Sequence, residues 1–284
     1  MKKIALLFLV AFVFYMCGSV PITGRQQLML VSDQEVLTLS LQEYDNYIKT
    51  APKSSDKNAT ALVVKVGAKI AQAVEAYYKV TGIESLLAGY SWEFNLIEDP
   101  QVNAFCMPGG KIVVYTGILP YTQDETGLAV VLGHEVGHAI AKHANERMSQ
   151  QMAIQMGGTA VGSLLNKTSS TVQTIGSTVY GLGAQVGVML PFSRKQELEA
   201  DHLGLVLMAL AGYQPEAAIP FWQRMSQQGG SKIEFLSTHP SDNMRISEIR
   251  KEIPEALEYY NAVKGTTTPA GNTKKAASSE EWHF

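Results

Sequence analysis

His134-Glu135-Val136-Gly137-His138 constrains this chain more than any other stretch. An H-E-x-x-H pentapeptide sits inside an apolar run, Val130 to Ala141, whose only acid is the motif glutamate itself. Positions four apart lie about 40° apart around a helix of 3.6 residues per turn, so His134 and His138 present both imidazoles to one point. Glu135 lies about 100° from His134, beside that point and not on it. Val130, Val131 and Leu132 before the motif and Ala139, Ile140 and Ala141 after it make the helix a buried one. A carboxylate buried between two imidazoles is costly unless something offsets its charge, and a metal ion does so. The spacing therefore predicts a metal helix with His134 and His138 as ligands and Glu135 as base toward a metal-activated water. Taken without its flanks, the pentapeptide also fits a chance occurrence on an amphipathic helix.

A tetrahedral catalytic zinc takes three protein ligands and keeps its fourth position for water. The pattern H-E-x-x-H-x-x-G-x-x-H would draw the third from this same segment, but Ala141 and Ala144 stand where it needs Gly and His. His143 misses that register by one. On a continuing helix it lies about 140° round from His138, facing away from the metal as a structural or surface histidine. The other source is a separate helix, and Gln196-Glu197-Leu198-Glu199-Ala200-Asp201 provides it. With Glu197 as third ligand, Asp201 one turn later shares its face and can accept the second ring N–H of a bound histidine. Glu199 points about 200° away from Glu197 and is expected in solvent. One Zn2+ per chain is the cofactor expected, although His and carboxylate donors accept other divalent ions.

Further segments complete a pattern: Val20-Pro-Ile-Thr-Gly-Arg-Gln-Gln-Leu28, Asn103-Ala-Phe-Cys-Met-Pro-Gly-Gly110, Ser193-Arg194, and Ser237-Thr-His-Pro-Ser241 with Arg245-Ile246. With the two motifs above, the chain from about Val20 to Ile253 resembles the gluzincin family of HtpX and the CAAX prenyl endopeptidases, nearest its soluble periplasmic BepA-like and LoiP-like branch. The resemblance implies His134, His138 and Glu197 as ligands and Glu135 as the base. It brings His239 to the metal side of the cleft, either stabilising the oxyanion or gating the fourth coordination site, with Arg245 near it. A structural histidine capping the loop before Pro240 is the other reading of His239. The substrate class it implies is misfolded or stalled envelope proteins.

Met1-Lys2-Lys3 followed by the apolar run Ile4 to Met16 reads as a secretory signal, too short for an ordinary membrane-spanning helix. Cys17 sits where a lipoprotein signal places its acylated cysteine, while Met16 departs from the small residue expected before it. Plain signal cleavage, or retention as a short anchor, is the alternative. The expected location is the bacterial envelope, facing the periplasm on a lipid anchor, at the outer membrane rather than the inner. With Cys17 acylated, Cys106 is the one remaining cysteine, so packing and zinc must stabilise the chain without a disulfide. Cys106 itself reads as a small buried residue. The net charge of −3 and the absence of a basic block argue against nucleic acid.

Residues 33 to 50 and 59 to 81 carry apolar positions at helical spacing, Val63, Val66, Ile70, Ala73, Val74 and Tyr77 among them. From Tyr90 to Glu98 and Lys111 to Thr116 the pattern turns β-rich around Pro108-Gly109-Gly110. Lys111 to Tyr115 is the strand expected along the cleft, where an extended substrate pairs with a sheet edge. A plain core hairpin fits the same residues. Thr122-Gln-Asp-Glu125 reads as a capping box opening the metal helix and Ser193-Arg-Lys-Gln196 as one opening the Glu197 helix. Gly212 marks the end of the latter, and Pro215 and Ser241 suit two further helix starts. Met148 to Leu190, rich in small residues, suits helices covering the cleft or a lid hinged at its glycines. Residues 264 to 284 lack periodicity and read as a disordered tail, with His283 a weak metal candidate.

Together these readings predict a signal segment at 1–17, one peptidase domain over 18–263 and a tail. The fold class is α+β, predominantly helical, with a zincin-type metal helix beside a small β-sheet whose edge strand lines the cleft. The expected function is a zinc-dependent endopeptidase acting on misfolded or unassembled envelope proteins, with the envelope assembly machinery as a further partner. A chaperone or assembly factor with a latent or regulatory zinc site is the alternative from another class. A zinc aminopeptidase keeps its third glutamate much nearer the motif than Glu197 is here.

Overall fold

The computed structural model describes residues 17–158, 193–229, 234–239 and 243–265. Residues 1–16 of the expected signal segment, the small-residue stretch from 159 to 192, Ser241 as a helix start and the expected tail from 266, His283 included, lie outside the described residues.

The chain opens with a two-stranded antiparallel ribbon, β1 (Cys17–Ser19) against β2 (Gln26–Leu28), with Cys17 opposite Leu28. Helix α1 (Asp33–Ile48) follows, its N-terminus capped by Ser32, and buries Val36, Ser40 and Tyr44 at four-residue intervals. Helix α2 (Lys57–Val80) starts at Asp56, whose carboxylate accepts from the backbone of Asn58 and Ala59. Its buried residues, Val63, Val66, Ile70, Val74 and Tyr78 among them, form the helical stripe expected from their spacing.

The sheet holds β3 (Glu93–Ile97), β4 (Ala104–Met107) and β5 (Lys111–Tyr115) in the order β3-β5-β4. Strand β3 runs parallel to β5, with Glu93 beside Lys111, and β4 runs antiparallel to it, with Met107 beside Lys111. The β4–β5 hairpin turns through Gly109 and Gly110, at φ 91° and 80°, a region that side chains other than hydrogen rarely enter. Strand β5 is therefore central and β4, facing the metal motif, is an edge, the reverse of the expectation that Lys111 to Tyr115 lines the cleft. The physical reason is legible afterwards: Ile112, Val113 and Val114 are all fully buried, as befits a strand covered on both faces, whereas an edge strand needs only one apolar face. Ile112 and Val114 join the core under α2, while Val113 and Tyr115 pack with residues of α1 and of the helix after the metal motif.

A single turn, Leu119–Thr122, leads to the metal helix α3 (Glu125–Ile140). Its cap is Asp124, which accepts from Gly127 N at 2.8 Å, and not Thr122. Thr122 instead donates to the Leu119 carbonyl and closes the preceding turn, while Gln123 at φ 67° redirects the chain. Helix α3 is buried from Gly127 to Ile140. It stops there because Lys142 takes φ 57°, and α4 (His143–Gly158) begins at once. Helix α5 (Arg194–Leu210) opens with the capping box of Ser193 and Gln196 that the sequence predicts, and ends before Gly212 at φ 80°. After a short turn at Pro215, α6 (Ala218–Gly229), α7 (Glu234–Thr238) and α8 (Asn243–Lys264) complete the described chain. The fold is α+β and predominantly helical.

Helices α3 and α5 meet backbone to backbone. A Cβ on Gly133 would lie 2.8 Å from the Gly204 carbonyl, one on Gly137 2.9 Å from the Ala200 carbonyl, and one on Gly204 2.8 Å from His134 N. That approach is open to glycine alone, and it lays Glu197 and Asp201 against the histidines. Among the described residues no helix is long and apolar enough to cross a membrane.

Candidate metal centre

His134 and His138, one turn apart on α3, direct their Nε2 atoms to one point, 3.1 Å from each other. Glu197 on α5 brings Oε1 to 3.3 Å from His138 Nε2 and Oε2 to 3.7 Å from His134 Nε2. His239, at the end of α7, adds Nδ1 at 3.1 Å from His134 Nε2 and 3.0 Å from Glu197 Oε1. All four side chains are buried. Ligands about 2.0–2.2 Å from a tetrahedral centre stand roughly 3.3–3.6 Å apart, so separations of 3.0 to 3.7 Å fit the corners of a small-cation site. The donor set of imidazoles and one carboxylate suits zinc. His239 thus faces the metal point with a ring nitrogen in the fourth corner, and it does not act as a distant loop cap.

Each motif histidine has its other nitrogen committed elsewhere. His134 Nδ1 lies 2.9 Å from Asp201 Oδ1, the contact expected of a carboxylate one turn beyond Glu197. Arg245, buried on α8, clasps Asp201 through Nε and Nη2 at 2.7 Å each, reaches Glu197 Oε2 at 3.1 Å and donates to the His239 carbonyl at 3.3 Å. Its guanidinium carbon sits over the Trp222 ring, 3.4 Å from the centroid. The expectation that Arg245 sits near His239 understates its reach, since it joins Glu197, Asp201 and the His239 carbonyl.

His138 Nδ1 lies 2.8 Å from His143 Nδ1, and His143 Nε2 lies 2.9 Å from Glu199 Oε2. Two expectations fail here. His143 does not face away, because α3 has ended at Ile140 and the angle counted along a continuous helix no longer applies. Glu199 is not in solvent: it is buried and receives hydrogen bonds from Thr23 and Arg25 of the β1–β2 turn. The signal that could have found it is the second histidine itself, which needs an acceptor once it is buried.

Glu135 is buried beside the cluster, and its Oε1 has no hydrogen-bond partner among the described residues. Desolvation pushes its carboxyl up to about 7, against the pull of His239, whose Nε2 lies 3.6 Å away. Burial, with the Arg245 charge, holds His134 down at about 4, so its ring is neutral and able to ligate. Burial likewise holds His138 well below the usual histidine range. Burial works against the charge of Glu197, but His239, His138 and Arg245 outweigh it and keep the carboxylate ionised. An orphaned carboxylate oxygen, two neutral imidazoles and one ionised carboxylate around a common point form a set that a divalent cation completes.

In front of Glu135 a cavity opens between α3 and the edge strand, lined by Asn103, Phe105, Met107, Glu135, His138 and His239 among others. Cys106 lines it too, partly rather than fully buried as expected; desolvation at its sulfur and the Glu135 charge still push the thiol well up, away from the reactive thiolate.

The sequence pattern of Peptidase family M48 matches residues 65–253. The mitochondrial metalloendopeptidase OMA1 of Saccharomyces cerevisiae is 33% identical over 271 residues, covering 91% of this chain and 76% of that protein. The human metalloendopeptidase OMA1, mitochondrial, is 32% identical over 91% of this chain, which spans half of its length. The beta-barrel assembly-enhancing protease of Escherichia coli is 28% identical over 56% of this chain and 34% of its own. The BepA-like branch named from the sequence is thus matched over less of the chain than the OMA1 proteins are. The expected location is overturned as well: relatives aligned over 91% of this chain are mitochondrial in name, which does not agree with a lipid-anchored, periplasm-facing protein of the bacterial envelope. A basic start before a short apolar run marks a processing segment by composition and does not specify a compartment. What the motifs, the metal geometry and the match over residues 65–253 jointly establish is broader than any branch: the chain belongs to Peptidase family M48, the metallopeptidases.

Proposed function

We propose that the protein is a zinc-dependent endopeptidase, with His134, His138 and Glu197 as ligands and Glu135 as general base. The observation that carries this reading is the convergence of two imidazole Nε2 atoms and one carboxylate beside a buried glutamate whose Oε1 has no hydrogen-bond partner among the described residues. When bound, zinc supplies a Lewis acid and lowers the pKa of a coordinated water. Glu135 takes a proton from the attacking water and carries it to the leaving amine nitrogen, a transfer of the kind a carboxylate near neutral pKa performs well. Asp201 keeps the proton of His134 on Nδ1, so that Nε2 offers its lone pair.

His239 gives the site a closed resting state, because its Nδ1 stands in the corner that water or a substrate carbonyl needs. Swung out, its ring becomes a donor for the developing oxyanion. Among the described residues strand β4 pairs only with β5, so its outer edge can receive an extended backbone beside Glu135. That favours unfolded or unassembled polypeptides as substrates, in keeping with relatives named metalloendopeptidase and assembly-enhancing protease. Incubation of the zinc-loaded chain with casein, beside its Glu135→Gln variant, tests the reading. Internal cuts by the wild type, with at least a thousandfold loss in a variant that still holds one zinc, are expected. Zinc binding without cleavage by either the wild type or His239→Ala would instead support a holdase.

A further inference from the structure

We propose that Arg25, acting through Glu199 and His143, is a positioning residue for His138, so that the N-terminal turn is part of the metal centre. The inference rests on His138 being a ligand. It reaches outside the family match, which begins at residue 65.

The turn between β1 and β2 is closed by backbone bonds from Val20 N to the Arg25 carbonyl and from Gly24 N to the Val20 carbonyl, both at 2.9 Å. From it Arg25 enters the protein, its side chain 12% exposed, and grips two carboxylates. Nε meets Glu199 Oε2 at 2.6 Å, while Nη1 and Nη2 meet the two oxygens of Glu146 at 2.8 Å each. Gln196 adds a bond to Glu146 at 2.8 Å, and Thr23 donates to the second oxygen of Glu199. Glu199 and Glu146 are 5% and 8% exposed, so two nearly dry carboxylates share one guanidinium.

Proton bookkeeping makes this arrangement specific. For His138 to offer Nε2 to a metal, its proton must sit on Nδ1 and be donated to His143 Nδ1. His143 must then carry its own proton on Nε2, and Glu199 accepts it. A carboxylate only accepts, so Glu199 permits this one order of protons along the chain and excludes the reverse. The other ligand is held in the same manner, His134 by Asp201 and Asp201 by Arg245. Both histidines therefore end in a carboxylate gripped by an arginine, buried on α8 in one case and partly buried before β2 in the other.

The test compares Arg25→Ala, Arg25→Lys, Thr23→Val and Glu199→Gln with the wild type. One readout is the zinc dissociation constant, from competition with a chromophoric chelator; the other is the visible absorption of the cobalt(II)-substituted protein, which reports ligand geometry. Glu125→Gln serves as the control, since it breaks an ion pair of α3 remote from this chain of contacts. Zinc affinity is expected to fall about 10- to 100-fold in Arg25→Ala and Glu199→Gln and less in Arg25→Lys and Thr23→Val, with an altered cobalt spectrum. Cleavage should lose kcat and keep KM. Should Arg25→Ala not fold, Arg25→Lys and Thr23→Val carry the comparison. Affinities and cobalt spectra within twofold of wild type, or a loss matched by Glu125→Gln, overturn the proposal. A chain that binds zinc but cuts nothing removes the peptidase reading and leaves these metal readouts in force.

Discussion

His239 decides how much of the catalytic machinery is usable at rest, because one ring nitrogen stands where a substrate oxygen must go. Truncating it removes a fourth donor and opens a corner in the same step. His239→Ala should therefore bind zinc more weakly yet show higher basal cleavage of casein at saturating zinc. If the resting ring is out of the corner about a tenth of the time, the gain is about tenfold. A drop to the level of Glu135→Gln would instead make His239 indispensable as the oxyanion donor. The sequence left these two roles open, since spacing brings a Thr-His-Pro segment near a metal but cannot say which nitrogen it turns inward. It was clear about His134, His138, Glu197 and Asp201, because four-residue spacing on one helix is a local property. It misplaced His143 and Glu199 for the same reason: the helical angle was carried past Ile140, and the positive φ of Lys142, which breaks the count, has no signature in the residue type.

Helices α3 and α5 hold the ligands in register through glycines rather than interlocking side chains, so packing and metal binding share a cause. In Gly137→Ala the new methyl would meet the Ala200 carbonyl at 2.9 Å and push α5 outward. The expected cost is about 1–3 kcal/mol, read as a lower urea midpoint, with zinc affinity falling in parallel. Unchanged stability would mean that the two helices separate without strain. At the other end of α3, Glu125 accepts from Lys65, Tyr213 and Lys69, tying the helix to α2 and to the segment after α5. The Lys65 contact, first among these, holds its carboxyl at about 2. A depressed carboxylate stabilises the fold fully above its ordinary value near 4.5, and that contribution fades as pH falls toward 2. Its side chain is 29% exposed and that of Lys65 57%, so after solvent screening the contribution is on the order of 1 kcal/mol. Urea unfolding of wild type and Glu125→Gln should show that gap at pH 6.5 and a narrower one at pH 3. A gap that does not change with pH would assign the effect to packing.

Across the whole molecule the metal point joins elements distant in sequence: α3 gives two donors, α5 the third, the end of α7 the fourth, and α8 the arginine behind them. The sequence conveyed the members of this set and the α+β class, since each helix carries its own periodicity and caps. The order of the strands was not legible in it. A four-residue edge strand, Ala104–Met107, has too few positions to show alternation, and the apolar run of Ile112 to Val114 marks burial without marking neighbours. What the assembled structure adds is a charge balance. Glu135, Glu197 and Asp201 are buried near one another, Arg245 pairs with the latter two, and divalent charge at their centre would offset the remainder. Zinc is accordingly expected to act as a structural tie as well as a reagent. At free zinc a thousandfold above its dissociation constant, linkage supplies about 4 kcal/mol, a rise in Tm of roughly 10 °C for a domain of this size. Thermal unfolding with zinc and with EDTA measures it directly. The Glu135→Gln variant should keep most of that rise, because Glu135 stands beside the ligands and not among them. Equal Tm values with and without zinc would show that the buried cluster holds its charges by other means, and Glu135 would then need a different explanation for its burial.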